Sequence, residues 1–214
     1  MFILGRDIAF PPVESASEEG IVALGGDLGT ERLLLAYKNG IFPWYNEDEP
    51  IIWWCPDPRF VLFPDDLKIS KSMQTVLRNG SFRFTINRAF SSVIQHCKNI
   101  TRKDQDGTWI NPAVQKAYTV LHELGYAHSA EAWQDGELVG GIYGIRMGNV
   151  FFGESMFSKK SNASKFAFIK YVQQLQKEGV VVIDCQVHTD HLESLGAGMI
   201  ERKQFIDLLH AHIN

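Results

Sequence analysis

Two short runs of the chain hold the polar side chains best suited to handling a proton or orienting a substrate. Ile183-Asp184-Cys185-Gln186 follows directly on the aliphatic stretch that begins at Val180. A carboxylate and an amide therefore fall at the end of a buried strand, and because strand side chains alternate with period two, positions 184 and 186 share a face. Such a pair can accept a hydrogen bond from an attacking amine and orient it, which is general-base and positioning chemistry. The plainer alternative is that both side chains bond loop backbone. Gly153-Glu154-Ser155-Met156-Phe157-Ser158 ends another strand and leads to Asn162-Ala163-Ser164-Lys165 at the head of a long helix. A helix N-terminus offers free backbone N–H groups to a carboxylate, a phosphate or a developing oxyanion. Here the plainer alternative is that Ser161 or Asn162 is simply the helix cap.

A third signal is one of charge. From Leu67 to Lys103 there is no Asp or Glu, while Lys68, Lys71, Arg78, Arg83, Arg88, Lys98, Arg102 and Lys103 are basic. In a chain of net charge −4, such a segment is either the local footprint of a phosphate backbone or a solvated face balanced by acids elsewhere. His188 and His191 with Asp190 lack a third fixed ligand and read as a solvated group, so no metal is expected. Gly25-Gly26-Asp27-Leu28-Gly29 lacks the lysine of a phosphate-binding loop and reads as a tight turn. The aromatic residues Trp44, Trp53, Trp54, Trp109 and Tyr118 belong to the core or form platforms on which a base stacks.

These groups must be positioned by a chain of 214 residues, 45 % apolar and 21 % charged, which is the composition of a folded protein. That length suits one domain with an appendage or two small ones. The early part is rich in glycine, proline and aromatics and has one clear helix from Thr30 to Gly40; a boundary near Pro58 gives a small N-terminal domain over 1–58 and a larger one over 59–214. Beyond the boundary, Ser70 caps a short helix, residues 82–87 alternate as a strand, and a helix passes through Phe90 and Ile94. Asn111-Pro112 then opens a helix reaching Gly125. Three strands follow, over 127–133, 138–147 and 150–156, joined at Asp135-Gly136 and Gly148-Asn149 as a meander. A helix over 162–177, a buried strand over 180–184 and two short helices finish an α+β layout with a mixed sheet and flanking helices. Three widely spaced cysteines form no disulfide framework, no signal-peptide core opens the chain, and no apolar run suffices for a membrane span. The expectation is a cytoplasmic protein with no membrane partner.

A hairpin bearing Leu138-Val139-Gly140-Gly141, then a helix and an apolar strand, resembles the acyltransferase-like fold of the Gcn5-related N-acetyltransferases. Seven longer motifs are more specific: Ala23 to Leu28, Gly40 to Trp44, Trp53 to Arg59, Gly107 to Ile110, His122 to Gly125, Gly153 to Ser158 with Asn162 to Lys165, and Ile183 to Gln186. Through them the chain, from about Phe10 to His210, resembles the bacterial leucyl/phenylalanyl-tRNA protein transferase family. That resemblance implies a small N-terminal α/β domain before an acyltransferase-like catalytic domain. It also implies an aminoacyltransferase that needs no metal or coenzyme A. Leu or Phe, and less well Met, would pass from Leu-tRNA or Phe-tRNA to the α-amine of proteins beginning with Arg or Lys, marking them for N-end-rule degradation. By motif position, Asp184 and Gln186 would activate the acceptor amine, and Glu154 would hold a substrate, either the acceptor's cation or the terminal adenosine. Trp44, Trp109, Tyr118, Ile142, Met156, Ser158, Tyr171 and Ile183 would surround the aminoacyl group and adenosine. Lys68, Lys71, Arg78 and Arg83 would meet the tRNA, and the protein would act as a monomer. Two rivals stand beside this reading. A conventional acetyltransferase needs an R/Q-x-x-G-x-G/A loop, which does not precede the Asn162 helix, and a non-catalytic tRNA-binding module would leave the ester intact.

Overall fold

A computed structural model describes residues 2–100 and 109–213; Arg102 and Lys103 of the basic segment, with Gly107 and Thr108, lie outside the described residues. The N-terminal part builds a four-stranded sheet from β1 (Phe2–Leu4), β2 (Ile21–Gly25), β3 (Phe42–Pro43) and β4 (Ile52–Trp54), in the order β1-β2-β4-β3. Helix α1 (Thr30–Lys38) crosses between β2 and β3, with Gly29 rather than Thr30 at its N-cap. The glycine-rich stretch ahead of it, from Gly26 to Gly29, has no regular structure and is held by side-chain hydrogen bonds. Asp27 Oδ1 accepts from the Gly29 N–H at 2.7 Å, and the buried Arg32 donates to Asp27 and to the Gly5 and Asp7 carbonyls. Trp53 is fully buried and its indole N–H donates to the Gly25 carbonyl at 2.8 Å, which fixes an amphipathic ring in an otherwise apolar core.

The remaining strands are β5 (Arg59–Leu62), β6 (Arg83–Ile86), β7 (Ala127–Gln134), β8 (Glu137–Met147), β9 (Val150–Ser158), β10 (Val182–Gln186) and β11 (Gly198–Ile200). They form one mixed sheet in the order β11-β5-β10-β9-β8-β7-β6, parallel only between β9 and β10. Helices α2 (Lys71–Arg78), α3 (Phe90–Lys98), α4 (Pro112–Glu123), α5 (Ala163–Lys177), α6 (Asp190–Glu193) and α7 (Arg202–His212) flank it. The α+β architecture, the meander and the long helix follow the sequence pattern. Strands β5 and β11 were not anticipated. β5 is a four-residue strand buried throughout, so it shows no alternation, and β11 has only three residues.

One hydrophobic core runs continuously from Trp53 and Tyr37 of the N-terminal part to Tyr118, Phe152 and Phe205. A second, on α5 and α2, gathers Phe60, Phe151, Phe166, Ile169, Tyr171 and Met73. No helix among the described residues is long and apolar enough to cross a membrane. Gly144 on β8 has no room for a side chain: an added Cβ would come within 2.1 Å of the Phe152 carbonyl oxygen and 2.5 Å of the Phe151 ring. Backbone cannot yield here as a flexible side chain would. Gly144→Ala is therefore expected to cost about 3 kcal/mol and lower the unfolding midpoint by roughly 6–12 °C in a thermal scan.

Candidate active site

The parallel ladder between β9 and β10 pairs Val182 with Val150, Ile183 with Phe151 and Asp184 with Phe152, and ends there. Beyond that point each strand stays with its outer neighbour and carries one residue too many. β9 pairs Gly153 with Gly144 and Ser155 with Tyr143, leaving Glu154 over, while β10 pairs Asp184 with Val61 and Gln186 with Phe60, leaving Cys185 over. Bulges bend a strand and re-aim its side chains, so the two strands part. Across the gap the Gln186 Nε2 donates to Glu154 Oε1 at 3.1 Å. Gln186 reaches this position from φ +63°, the left-handed region that a residue with a Cβ enters at a cost of about 1–2 kcal/mol.

The shared face expected for 184 and 186 is thereby broken. Asp184 has no exposed surface: its Oδ1 accepts from Arg59 Nε at 2.8 Å and its Oδ2 from Arg59 Nη2 at 2.6 Å. Oδ1 also accepts the Gln186 backbone N–H at 2.9 Å. Asp184 thus reaches the site through the Gln186 main chain. Burial opposes the charge on Arg59, but the paired carboxylate more than offsets it and holds the guanidinium above its usual range.

Glu154 sits at the floor of the gap. The Tyr37 hydroxyl lies 2.7 Å from its Oε1 and the Tyr118 hydroxyl 3.1 Å from its Oε2, and the two hydroxyls also contact each other; two phenol protons serve two of these three bonds, and the third is supplied when Glu154 carries its proton. Burial pushes both phenols well above their ordinary range, so they remain donors. Burial also dominates at Glu154, whose pKa is raised to about 7; the tyrosine hydrogen bonds pull it down and the Asp184 charge pushes it up. A carboxyl of that affinity exchanges its proton near neutral pH, as a general base and acid must.

Above this floor lies a cavity of about 560 Å³, within the range of pockets that enclose small ligands. Trp44, Trp109, Ile142, Met156, Ser158 and Ile183 all line it, together with Glu154, Asp184 and Gln186, and Phe42, Phe168 and Leu192 add apolar wall. Trp44 is 37 % exposed at the rim. Ser158 Oγ accepts the Ser164 N–H at 3.2 Å and donates to the Lys160 carbonyl at 2.8 Å, tying the head of α5 to the end of β9. Asn162 makes no side-chain cap bond.

Two residues expected around the substrate do not line the cavity. Tyr118 is fully buried behind Glu154 and meets the site only through that carboxylate, and Tyr171 packs edge-on against Phe151 in the α5 core. Conversely, Tyr37 and Arg59 carry more of the site than their sequence contexts suggest. Tyr37 falls at an apolar position of α1, and Arg59 closes a proline-rich aromatic stretch; only the strand register brings Arg59 to Asp184. Lys68, Lys71, Arg78 and Arg83 are all exposed, the middle two on α2 and Arg83 beside the Trp133 ring on edge strand β6. Among the histidines, His188 groups with Asp190 and Glu193, their ligand atoms within 4.8 Å of one another and all three exposed.

Residues 61–210 match the model of the leucyl/phenylalanyl-tRNA protein transferase family, and residues 26–57 match that of its N-terminal domain. The chain belongs to this family. A leucyl/phenylalanyl-tRNA protein transferase of Flavobacterium johnsoniae is 56 % identical over 98 % of this chain and 99 % of its own length. That of Syntrophobacter fumaroxidans is 53 % identical over 100 % of this chain and 91 % of its own. Membership makes the chain an aminoacyltransferase. Among solved structures it is similar to L-PGS from Bacillus licheniformis, at 16 % identity over 79 % of this chain and 54 % of that one, TM-score 0.41. A GCN5-related N-acetyltransferase from Kribbella flavida is similar at 11 % identity over 78 % and 59 %, TM-score 0.39.

Proposed function

We propose that this cavity transfers Leu or Phe, and less well Met, from the 3′ end of aminoacyl-tRNA to the α-amine of proteins beginning with Arg or Lys, marking them for N-end-rule degradation in the cytoplasm. The supporting observation is an apolar cavity whose floor holds an amide and a carboxyl that titrates near neutrality, hydrogen-bonded to each other, in a chain of this family. The ester is already activated, so neither ATP nor coenzyme A is required. The neutral amine nitrogen attacks the ester carbonyl carbon, the bond to the terminal ribose oxygen breaks, and the amine's proton ends on that oxygen.

Gln186 meets the amine through its oxygen. Glu154 accepts from its Nε2, which leaves the amide oxygen to accept from the substrate. An amide oxygen orients but does not take a proton; Glu154, one hydrogen bond away, takes it from the amine and returns it to the departing ribose oxygen. Its place beside Gln186, beneath Tyr37 and Tyr118, favours this station at the acceptor amine over one at the adenosine. Ile142, Met156, Phe168 and Ile183 suit an unbranched-β apolar side chain and penalise a polar one that would lose its water.

Lys68, Lys71, Arg78 and Arg83 supply the attraction for the tRNA backbone to a protein acting as a monomer. The double variant Lys71→Glu/Arg78→Glu is expected to raise KM for aminoacyl-tRNA about tenfold and flatten its salt dependence by about two in log–log slope, with kcat unchanged. Steady-state kinetics across a salt series read both. The reaction itself is tested with radiolabelled Leu-tRNA and two peptides, one beginning with Arg and one with Gly, without ATP or coenzyme A. Label on the Arg peptide alone is expected; tRNA binding with no label on either peptide would leave the binding-module reading instead.

A further inference from the structure

Arg59 joins three parts of the molecule without lining the cavity. Its guanidinium lies 4.7 Å from the ring centroid of Phe42 on β3 and 4.7 Å from that of Phe205 on α7, while its fork grips Asp184 on β10. It is 1 % exposed. Stability alone does not account for the pair, since apolar residues of similar volume commonly serve a core as well as a buried ion pair or better. What an apolar pair cannot do is hold a carboxylate oxygen where it accepts the Gln186 N–H, and that bond spans the left-handed turn from which the Gln186 amide enters the gap. A continuous line of contacts therefore runs from the two aromatic rings through Arg59 and Asp184 to the Gln186 amide.

We propose that Arg59 is a positioning residue for aminoacyl transfer: its planar fork sets the Asp184 carboxylate, which fixes the Gln186 turn and so the orientation of the amide that receives the acceptor amine. The proposal rests on the reading of Gln186 given above. It makes the C-terminal helix a contributor to turnover, because Phe205 of α7 packs on the guanidinium and does not line the cavity.

The test is Arg59→Lys, which keeps the charge but offers a point donor in place of a fork matched to both carboxylate oxygens. The expected result is a fall in kcat of about 10²-fold, the scale of a small misplacement at a reacting centre, with KM for aminoacyl-tRNA within about twofold. In a Gln186→Ala background the same substitution is expected to cost less than about twofold, because coupled groups are non-additive. An unchanged kcat, or an equal loss in both backgrounds, overturns the proposal, the second because a purely structural effect ignores Gln186. Should Arg59→Lys not fold, Phe205→Leu decides: kcat several-fold lower with unaltered tRNA affinity supports the proposal, and wild-type kcat overturns it. A wild-type protein that transfers no label would defeat the functional reading as well, whereas an active wild type with indifferent variants defeats this inference alone.

Discussion

Asp184→Asn is expected to lower the single-turnover rate of transfer by about 10²-fold while the affinity for aminoacyl-tRNA stays within about twofold. The substitution preserves shape but keeps one accepting oxygen: Oδ1 accepts from both Arg59 Nε at 2.8 Å and the Gln186 N–H at 2.9 Å, and an amide nitrogen in place of Oδ2 opposes the Arg59 Nη2 donor that now bonds there at 2.6 Å. The two opposed donors push the side chain off the fork, which displaces the oxygen that anchors the Gln186 turn, and the amide is no longer held toward the amine. Binding is spared because the Asp184 carboxylate is taken up by Arg59 and the Gln186 N–H. Asp184→Ala adds a second effect. It strands the buried Arg59 cation, which costs about 3–5 kcal/mol and lowers the midpoint of thermal unfolding by roughly 6–20 °C. Denaturation and rapid-quench kinetics on the two variants separate these contributions. Asp184→Asn at the wild-type rate would show that the anchored turn is irrelevant to chemistry.

Glu154→Gln is the second large effect, an expected loss of about 10²–10⁴-fold in kcat from removal of the proton acceptor. The hydrogen-bonding shape of the site survives, since the new amide oxygen still accepts from a tyrosine. The sign of the pH dependence follows from the raised pKa. Below about 7 the wild-type carboxyl is protonated and cannot take the amine's proton, so activity rises with pH through that value. Stability moves the other way. A carboxyl that titrates near 4.5 when unfolded and near 7 when folded binds its proton more tightly in the native state. Its contribution is complete below the unfolded value and declines as pH rises through the folded one, by up to roughly 3 kcal/mol. Glu154→Gln is therefore expected to flatten the fall in unfolding free energy between these values. Urea unfolding at several pH values measures it, and parallel slopes in the two proteins would contradict the assignment. The molecule holds this acid at a cost in stability, as functional groups placed against local preference often are.

Much of the scaffold around these groups is legible in the sequence because it rests on local chemistry. Ser70 accepts the Met73 N–H at the head of α2, and Asn111 accepts that of Val114 at the head of α4. Asp135 and Gly136 both take positive φ in the two-residue hairpin turn between β7 and β8. What the sequence could not display is register. The extra residues at Glu154 and Cys185 are extra only relative to β8 and β5, and they divert the alternation that placed Asp184 and Gln186 on one face. Tyr37 shares an apolar helical stripe with Leu33 and Ala36, and nothing local marks its hydroxyl as the partner of a carboxylate 117 positions away. Arg59 and Asp184 are 125 positions apart, joined by an antiparallel ladder whose shorter strand carries no pattern of its own. The motifs Gly153 to Ser158 and Ile183 to Gln186 lie in segments that line the cavity; the pairing of β9 and β10 with their outer neighbours assigns the contacts within them.

In the proposed transfer step Glu154 exchanges the proton beside a Gln186 amide that orients the amine. Single-turnover transfer of Leu from tRNA to an Arg-initiated peptide, measured against pH with both substrates saturating, tests it most directly. In the wild type both Glu154 and the amine must be deprotonated, so the logarithm of the rate should steepen toward a slope of about two below neutrality, given an α-amine pKa of about 8. In Glu154→Gln only the amine remains, and the slope should fall to about one. Identical profiles in the two proteins, differing only by a constant factor, would contradict the account.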